Sequence, residues 1–259
     1  MRPSRKLDSV NRKRAIDRCV KTEAHLPDAF GRAAPAHYAW QTEHPYVAAR
    51  ERELVRSAFW PLGQRVLDIG CGEGATLRHL DEPEGATGLD LFEDKIAFAR
   101  RTLPRCRFVA GSAYELPFDD AAFDHLLVRD LIHHLDEPYR FMIECARVLQ
   151  PGGRIDILEP SRTSPMILAH ALLVPVERGE LRSTMGYLSK LLETRFRIVA
   201  KDRHQALPLH RVVFHPDFRF SLPARGAISR AVDLAERSAG RLLPRAMWAY
   251  VHLRAVLDG

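Results

Sequence analysis

The chain has 259 residues, 46% of them apolar and 28% charged, which supplies a core and excludes collagen-like, disordered and disulfide-dense classes. Lys plus Arg number 39 against 33 Asp plus Glu, a formal charge of +6 that is too small by itself to argue for nucleic acid. The four cysteines, Cys19, Cys71, Cys106 and Cys145, have neither C-x-x-C nor Cys/His ligand spacing, so no zinc site or disulfide framework is indicated and a reducing cytoplasm is the expected home.

In chain order, residues 1–21 carry Arg2, Arg5, Lys6, Arg12, Lys13, Arg14, Arg18 and Lys21 against Asp8 and Asp17. No apolar stretch follows them, so they do not read as a secretory signal. They fit a solvated terminus or a contact with anionic lipid or an acidic partner. Tyr38, Trp40 and Tyr46 then precede a helix that places Val47, Leu54, Val55, Ala58 and Phe59 on one face and ends before Pro61. Strands are predicted at Arg65–Ile69, Ala86–Leu91, Cys106–Ala110, Phe123–Arg129 and Arg154–Glu159. Helices fit between most of them, at Ala75–Leu80, Asp94–Thr102 and Asp136–Leu149, the last stopping at Pro151-Gly152-Gly153. Such alternation implies an α/β fold with a doubly wound parallel sheet, right-handed crossovers and helices on both faces.

Beyond Glu159 the pattern changes. Met166–Val174 reads as an apolar helix, and the longer run to Val176 is interrupted by His170 and Pro175, short of the ~20 apolar residues of a membrane span. Ser183 is the expected cap of a helix containing Met185, Leu188, Leu191 and Leu192, and Phe196–Lys201 reads as a strand. Residues 204–247 fit the pattern poorly, while Ala249–Val256 suits a final strand or a helix running on from Pro244. The expected organisation is a basic segment and lid over 1–46, a core over 47–202, and a cap with the closing element over 203–259 of the same domain.

The strongest signal is Val66-Leu67-Asp68-Ile69-Gly70-Cys71-Gly72-Glu73-Gly74, a buried strand running into a glycine turn that opens a helix. Gly70-x-Gly72-x-x-Ala75 satisfies the loose dinucleotide fingerprint, so spacing does not choose between NAD and another adenosine cofactor. Charge does. Asp68 would repel a pyrophosphate at this position but attract the sulfonium and ammonium of S-adenosylmethionine (SAM). Asp90 ends the second strand 22 residues later, where a carboxylate can accept the ribose hydroxyls or cap a helix.

Val66–Gly74 and Gly88–Leu91 are joined by Gly111–Phe118, Phe123-Asp124, His133-His134-Leu135 and Arg147–Gly153. With these motifs in order, residues 47–201 resemble the class I SAM-dependent methyltransferases, in particular the small-molecule branch that includes the ubiquinone and menaquinone biosynthesis enzymes. The resemblance implies a Rossmann-like seven-stranded sheet, mostly parallel with an antiparallel last strand, and SAM across the carboxyl ends of the first strands. It implies that Asp68, Gly70, Cys71 and Gly72 line the methionine moiety, Asp90 the ribose and Leu91 the adenine. Ser112, where the family usually has Asp, and Ala113 would meet the adenine edge, and Arg129 would touch the cofactor through its backbone. An N-terminal aromatic such as Tyr38, Trp40 or Tyr46 would close over the cofactor or pack in the core.

Methyl transfer from a sulfonium needs alignment and exclusion of water, and a base only where the acceptor is a poor nucleophile. The candidates are His133, His134 and Asp130, with packing beneath the cofactor or turn capping as the alternatives. His204, His210 and His215 match no metal motif, and no metal is expected. The chain lacks the Asn/Asp-Pro-Pro-Tyr motif of many DNA and protein amino-methyltransferases and carries no RNA-binding module, so a small-molecule acceptor and no nucleic acid are expected. Met166–Val176, with Phe214, Phe218 and Phe220 beside Pro216 and Pro223, suggests an apolar or aromatic acceptor, O- or C-methylated, or else a covered sheet face or a dimer face. The competing readings are a SAM-binding regulator without catalysis and a nicotinamide oxidoreductase.

Overall fold

The computed structural model describes residues 35–214 and 226–259. The basic N-terminal run with Cys19, and His215, Pro216, Phe218, Phe220 and Pro223, lie outside the described residues, as does the side chain of Tyr38. Helix α1 (Pro35–Glu43) leads into α2 (Pro45–Phe59), which opens with a proline where no intrahelical N–H is lost. Val47, Leu54, Val55, Ala58 and Phe59 are all buried along one face, as their spacing requires, and Glu51 is buried among them.

Strands and helices then alternate. β1 (Val66–Ile69), α3 (Ala75–His79), β2 (Thr87–Asp90), α4 (Glu93–Thr102), β3 (Arg107–Ala110), β4 (Phe123–Arg129), α5 (Pro138–Val148) and β5 (Leu149–Pro160) follow in order. The helix expected from Asp136 starts at Pro138, a residue suited to a first turn, and β5 begins five residues ahead of the predicted Arg154. Next come α6 (Pro165–Leu173), a 3-10 segment at Pro175–Arg182, α7 (Met185–Leu192) and β6 (Arg197–His204). Thr184, not the expected Ser183, caps α7, its hydroxyl accepting from the Tyr187 amide at 3.1 Å. The short α8 (His210–Val213), the 17-residue α9 (Gly226–Leu242) and β7 (Tyr250–Val256) complete the described chain.

The seven strands form one sheet in the order β3-β2-β1-β4-β5-β7-β6. The first five pair in parallel, and β7 is antiparallel to both β5 and β6. Ladder pairing on both edges decides the last element in favour of a strand over the competing helix. Side chains alternate across the sheet as period-two geometry demands. Leu67, Ile69, Leu126, Val128, Ile155 and Ile157 face α5 and α7, while Val66, Leu127 and Leu158 face α2, α3 and α4. The same alternation sends Asp68 and Arg129 toward the α2 layer and Glu159 toward the other. Among the described residues no helix is long and apolar enough to cross a membrane.

Candidate functional site

The glycine turn is built by the neighbouring strand. Leu89 O of β2 accepts the amides of both Gly70, at 2.8 Å, and Cys71, at 3.0 Å, folding the chain back over the carboxyl ends of β1 and β2. Gly70 has φ +75°, and a Cβ there would lie 2.9 Å from Leu131. Gly72 has φ +54° with open space where a Cβ would stand. Asp90 braces this turn, its two oxygens accepting from the Gly72 amide at 2.8 Å and the Phe92 amide at 3.0 Å. The carboxylate expected at the ribose therefore also holds the loop, and Phe92 occupies the cap position of α4.

Asp68 differs. It is buried at the end of β1, and its Oδ2 has no hydrogen-bond partner among the described residues. Burial, with the charge of Asp90 adding to it and Arg129 opposing it, pushes this carboxyl up to about 7. A buried acceptor left open beside a glycine turn fits a cationic ligand group. That oxygen, with open space at Gly72, offers an acceptor and room for the cationic methionine part of an adenosine cofactor such as SAM. Cys71 is buried, and burial together with Asp68 and Asp90 holds its thiol protonated. Leu91 is half-buried, Ser112 Oγ accepts the Tyr114 amide at 3.0 Å, and Ala113 packs into the core. The Ser112 hydroxyl therefore has a turn-capping role at the position expected to meet the adenine edge.

Arg129 ends β4 with its side chain turned into the α2 layer, where its guanidinium bonds Glu51. Glu51 also takes a two-pronged pair from Arg211, at 2.8 and 2.7 Å, and lies 2.8 Å from His210 Nε2. His210 continues the chain to Glu236 of α9 at 2.8 Å, and Arg50 and Tyr46 reach the same carboxylate. Burial opposes ionisation of Glu51, yet the arginines and His210 hold it well below the usual carboxylate range. Trp40 and Tyr46 pack with Val47, Phe214 and Val232 in a small cluster beside this network, which supports the packing reading of those aromatics over the lid.

The predicted acid–base group is split: His133 lies with Glu159 on the opposite face, whereas Asp130 joins the arginines of this network. Asp130 sits at φ +51° and pairs with Arg129 at 3.5 Å and Arg211 at 3.4 Å. It does not cap the following turn. Glu159, at the end of β5, does so by accepting the amides of Leu131, Ile132 and His133. Glu159 Oε2 also lies 2.7 Å from His133 Nδ1. Burial would lower the His133 pKa, but Glu159 and Glu177 raise it to about 10. Burial and then the His133 charge push His134 down to about 4. The carboxylates thus favour the protonated form of His133, whose charge in turn favours the neutral form of His134. Of the remaining histidines, His204 Nδ1 lies 3.2 Å from Ser57 Oγ.

Glu51, Glu159, Glu177, Arg211 and Glu236 escaped the sequence reading. Glu51 carried a signal, a lone acid on the apolar face of α2. Glu159 ended a strand pattern, while the other three depend on segments whose placement only tertiary packing sets.

Residues 67–157, about a third of the chain, match the family model described as "Methyltransferase domain". The chain is 35% identical over 148 residues to a protein of Mycolicibacterium smegmatis named "Probable S-adenosylmethionine-dependent methyltransferase", covering 56% of this chain and 57% of that one. It is 43% identical over 96 residues to a fatty-acid O-methyltransferase of the same organism, covering 35% of each. The chain thus spans a little over half of the first relative's length and about a third of the second's. Among solved structures, a SAM-dependent methyltransferase from Thermotoga maritima superposes with TM-score 0.63 at 19% identity, covering 90% of this chain and 99% of that one.

Proposed function

We propose that this chain transfers a methyl group from SAM to a small apolar or lipid-like acceptor. The observation that carries the reading is Asp68, a buried carboxyl with one open oxygen at the mouth of the glycine turn. SAM supplies an electrophilic methyl on a positively charged sulfur. Asp68 would attract the cationic methionine part, the backbone of Gly70 to Gly72 would border it, and Asp90 would offer its remaining acceptor capacity to the ribose. Leu91, Ser112 and Ala113 would lie along the adenine, with Arg129 present through its backbone. A pyrophosphate would face Asp68 and Asp90 together, which disfavours a nicotinamide cofactor.

The chain's own task is then to orient the acceptor and keep water out. With His133 held by Glu159 and Asp130 paired to two arginines, an acceptor enters already nucleophilic or is ionised by another device. An apolar acceptor is favoured by the fatty-acid relative and by α6, which follows β5 and exposes Leu168, Leu172 and Leu173. The place of β7 inside the sheet, between β5 and β6, supports reading the closing part of the chain as one domain with the core.

Calorimetry with SAM, its demethylated product S-adenosylhomocysteine and NAD tests the cofactor. Binding of both sulfur nucleosides and not of NAD is expected, and the reverse overturns the reading. Incubation with SAM and a panel of fatty acids, hydroxylated lipids, quinols and amines is expected to form S-adenosylhomocysteine only with the apolar oxygen acceptors. Binding of SAM without turnover on any of them would favour a regulator.

A further inference from the structure

His133, His134 and Glu177 bring three ligand atoms to one point at the carboxyl ends of β4 and β5, all within 4.8 Å of one another. Glu177 Oε2 lies 3.4 Å from His133 Nε2 and 3.9 Å from His134 Nε2. Both separations exceed the usual hydrogen-bond range of about 2.7–3.2 Å. They approach the ~3.3 Å that separates neighbouring ligands around a four-coordinate ion with bonds of ~2 Å. The His133 ring is also oriented as a ligand would be. Its Nδ1 faces the Glu159 carboxylate at 2.7 Å, which leaves Nε2 for the point of convergence. Glu159 is fixed in turn by three backbone amides, so this orientation is built into the turn after β4. A carboxylate behind a histidine whose other nitrogen faces a second carboxylate is the usual outer support of a metal-bound imidazole.

We propose that His133 Nε2, His134 Nε2 and Glu177 bind a divalent transition-metal ion of the zinc class, leaving at least one coordination position open on the acceptor side. Two imidazoles and one carboxylate suit Zn2+, Co2+ or Fe2+ over Mg2+ or Ca2+, which prefer oxygen ligands throughout. Methyl transfer gives the open position a use: an acceptor hydroxyl bound there would lose its proton more readily. This role rests on the methyltransferase reading, whereas the binding itself does not.

The test uses the full chain, stripped by chelator and titrated with Co2+ under visible absorption, with no SAM present. One equivalent is expected to give the intense bands of low-coordinate cobalt, abolished by added Zn2+. Glu177→Gln and His134→Ala are each expected to weaken binding about tenfold or more, the scale of a disturbed metal site. Glu180→Gln, whose carboxylate pairs with His170 instead, is expected to bind as the parent does. Circular dichroism and SAM calorimetry on the same samples verify that each variant is folded. Weak bands typical of hydrated cobalt, or equal binding by folded Glu177→Gln, would overturn the proposal. Cobalt bands in a chain that binds no SAM would uphold the metal site and remove the methyltransferase reading instead.

Discussion

Two carboxylates at the carboxyl edge of the sheet do different work, and substitution separates them. Asp90 holds two backbone amides, so Asp90→Ala leaves both without their partner and is expected to lower stability and to weaken SAM binding by about 1–3 kcal/mol. Asp68 holds no described residue with Oδ2. Asp68→Asn is therefore expected to weaken SAM binding with no loss of stability, measured by calorimetry and by chemical denaturation. A parallel fall in stability would show that Asp68 braces the fold. The pH dependence has a definite sign. A folded pKa raised to about 7 lies above the ordinary carboxyl value near 4. The unfolded chain gives up this proton first, so the group's contribution to stability declines as pH rises from about 4 to about 7. A cationic ligand prefers the ionised form, so SAM affinity is expected to fall below pH 7 by up to about tenfold per unit, with proton release on binding in mildly acid buffer. An affinity flat from pH 5.5 to 8, or an equal slope in Asp68→Asn, would place the cation elsewhere.

At the level of elements, the parallel half of the sheet was legible because its strands are short buried runs between glycine or proline stops. Phe123–Arg129 was read to the residue, and β1 to β3 within a residue or two at either end. The cap was not legible. α9 carries an amphipathic pattern, yet Ala, Arg and Ser outnumber its large apolar residues, and its purpose lies in Glu236, whose partner is 26 residues away. Asp68, Asp90 and the glycine turn were legible because their spacing is local. Glu159 and Glu177 were not, because strand pairing and the 3-10 segment after α6 bring them to His133. Glu51 shows what such non-local chemistry is worth. It joins α2 to β4 and α8 by neutralising Arg129, Arg211 and His210 in a buried setting. Removing its charge leaves the buried Arg129 and the mostly buried Arg211 with the partly exposed Asp130 as their remaining carboxylate, and Glu51→Gln is expected to cost about 3–5 kcal/mol. The exposed neighbour Glu53, paired with Arg50, is expected to change stability by less than about 1 kcal/mol when made Gln. Denaturation midpoints for the two variants check this, and equal midpoints would show that the buried network carries no net stability.

Across the whole molecule, the sheet closes in an order that differs from the order of the chain. β7 is last in sequence but lies inside the sheet, with seven residues paired to β5, from Pro160 facing Tyr250 to Arg154 facing Val256. It pairs equally with β6, for which it is the only neighbour among the described strands. Val251, Leu253 and Ala255 project from it into the core shared with α5 and α7, while His252 and Arg254 meet the buried Asp156 of β5 on the other face. The sheet is therefore cooperative from β5 to β6 through one late strand, whose distant pairings contribute only after long loop closure. A chain ending at Arg225, lacking α9 and β7, would expose the β5 ladder, strand β6 alone and leave Asp156 without two of its partners. It is expected to show no cooperative thermal transition and no SAM binding, although all the residues proposed to hold the cofactor are still present. Glu236→Gln in the full chain, which disturbs the α9 contact while keeping β7, is expected to retain both. A truncated chain that melts cooperatively and binds SAM would show that residues 1–225 fold by themselves, with β7 an addition to a finished domain.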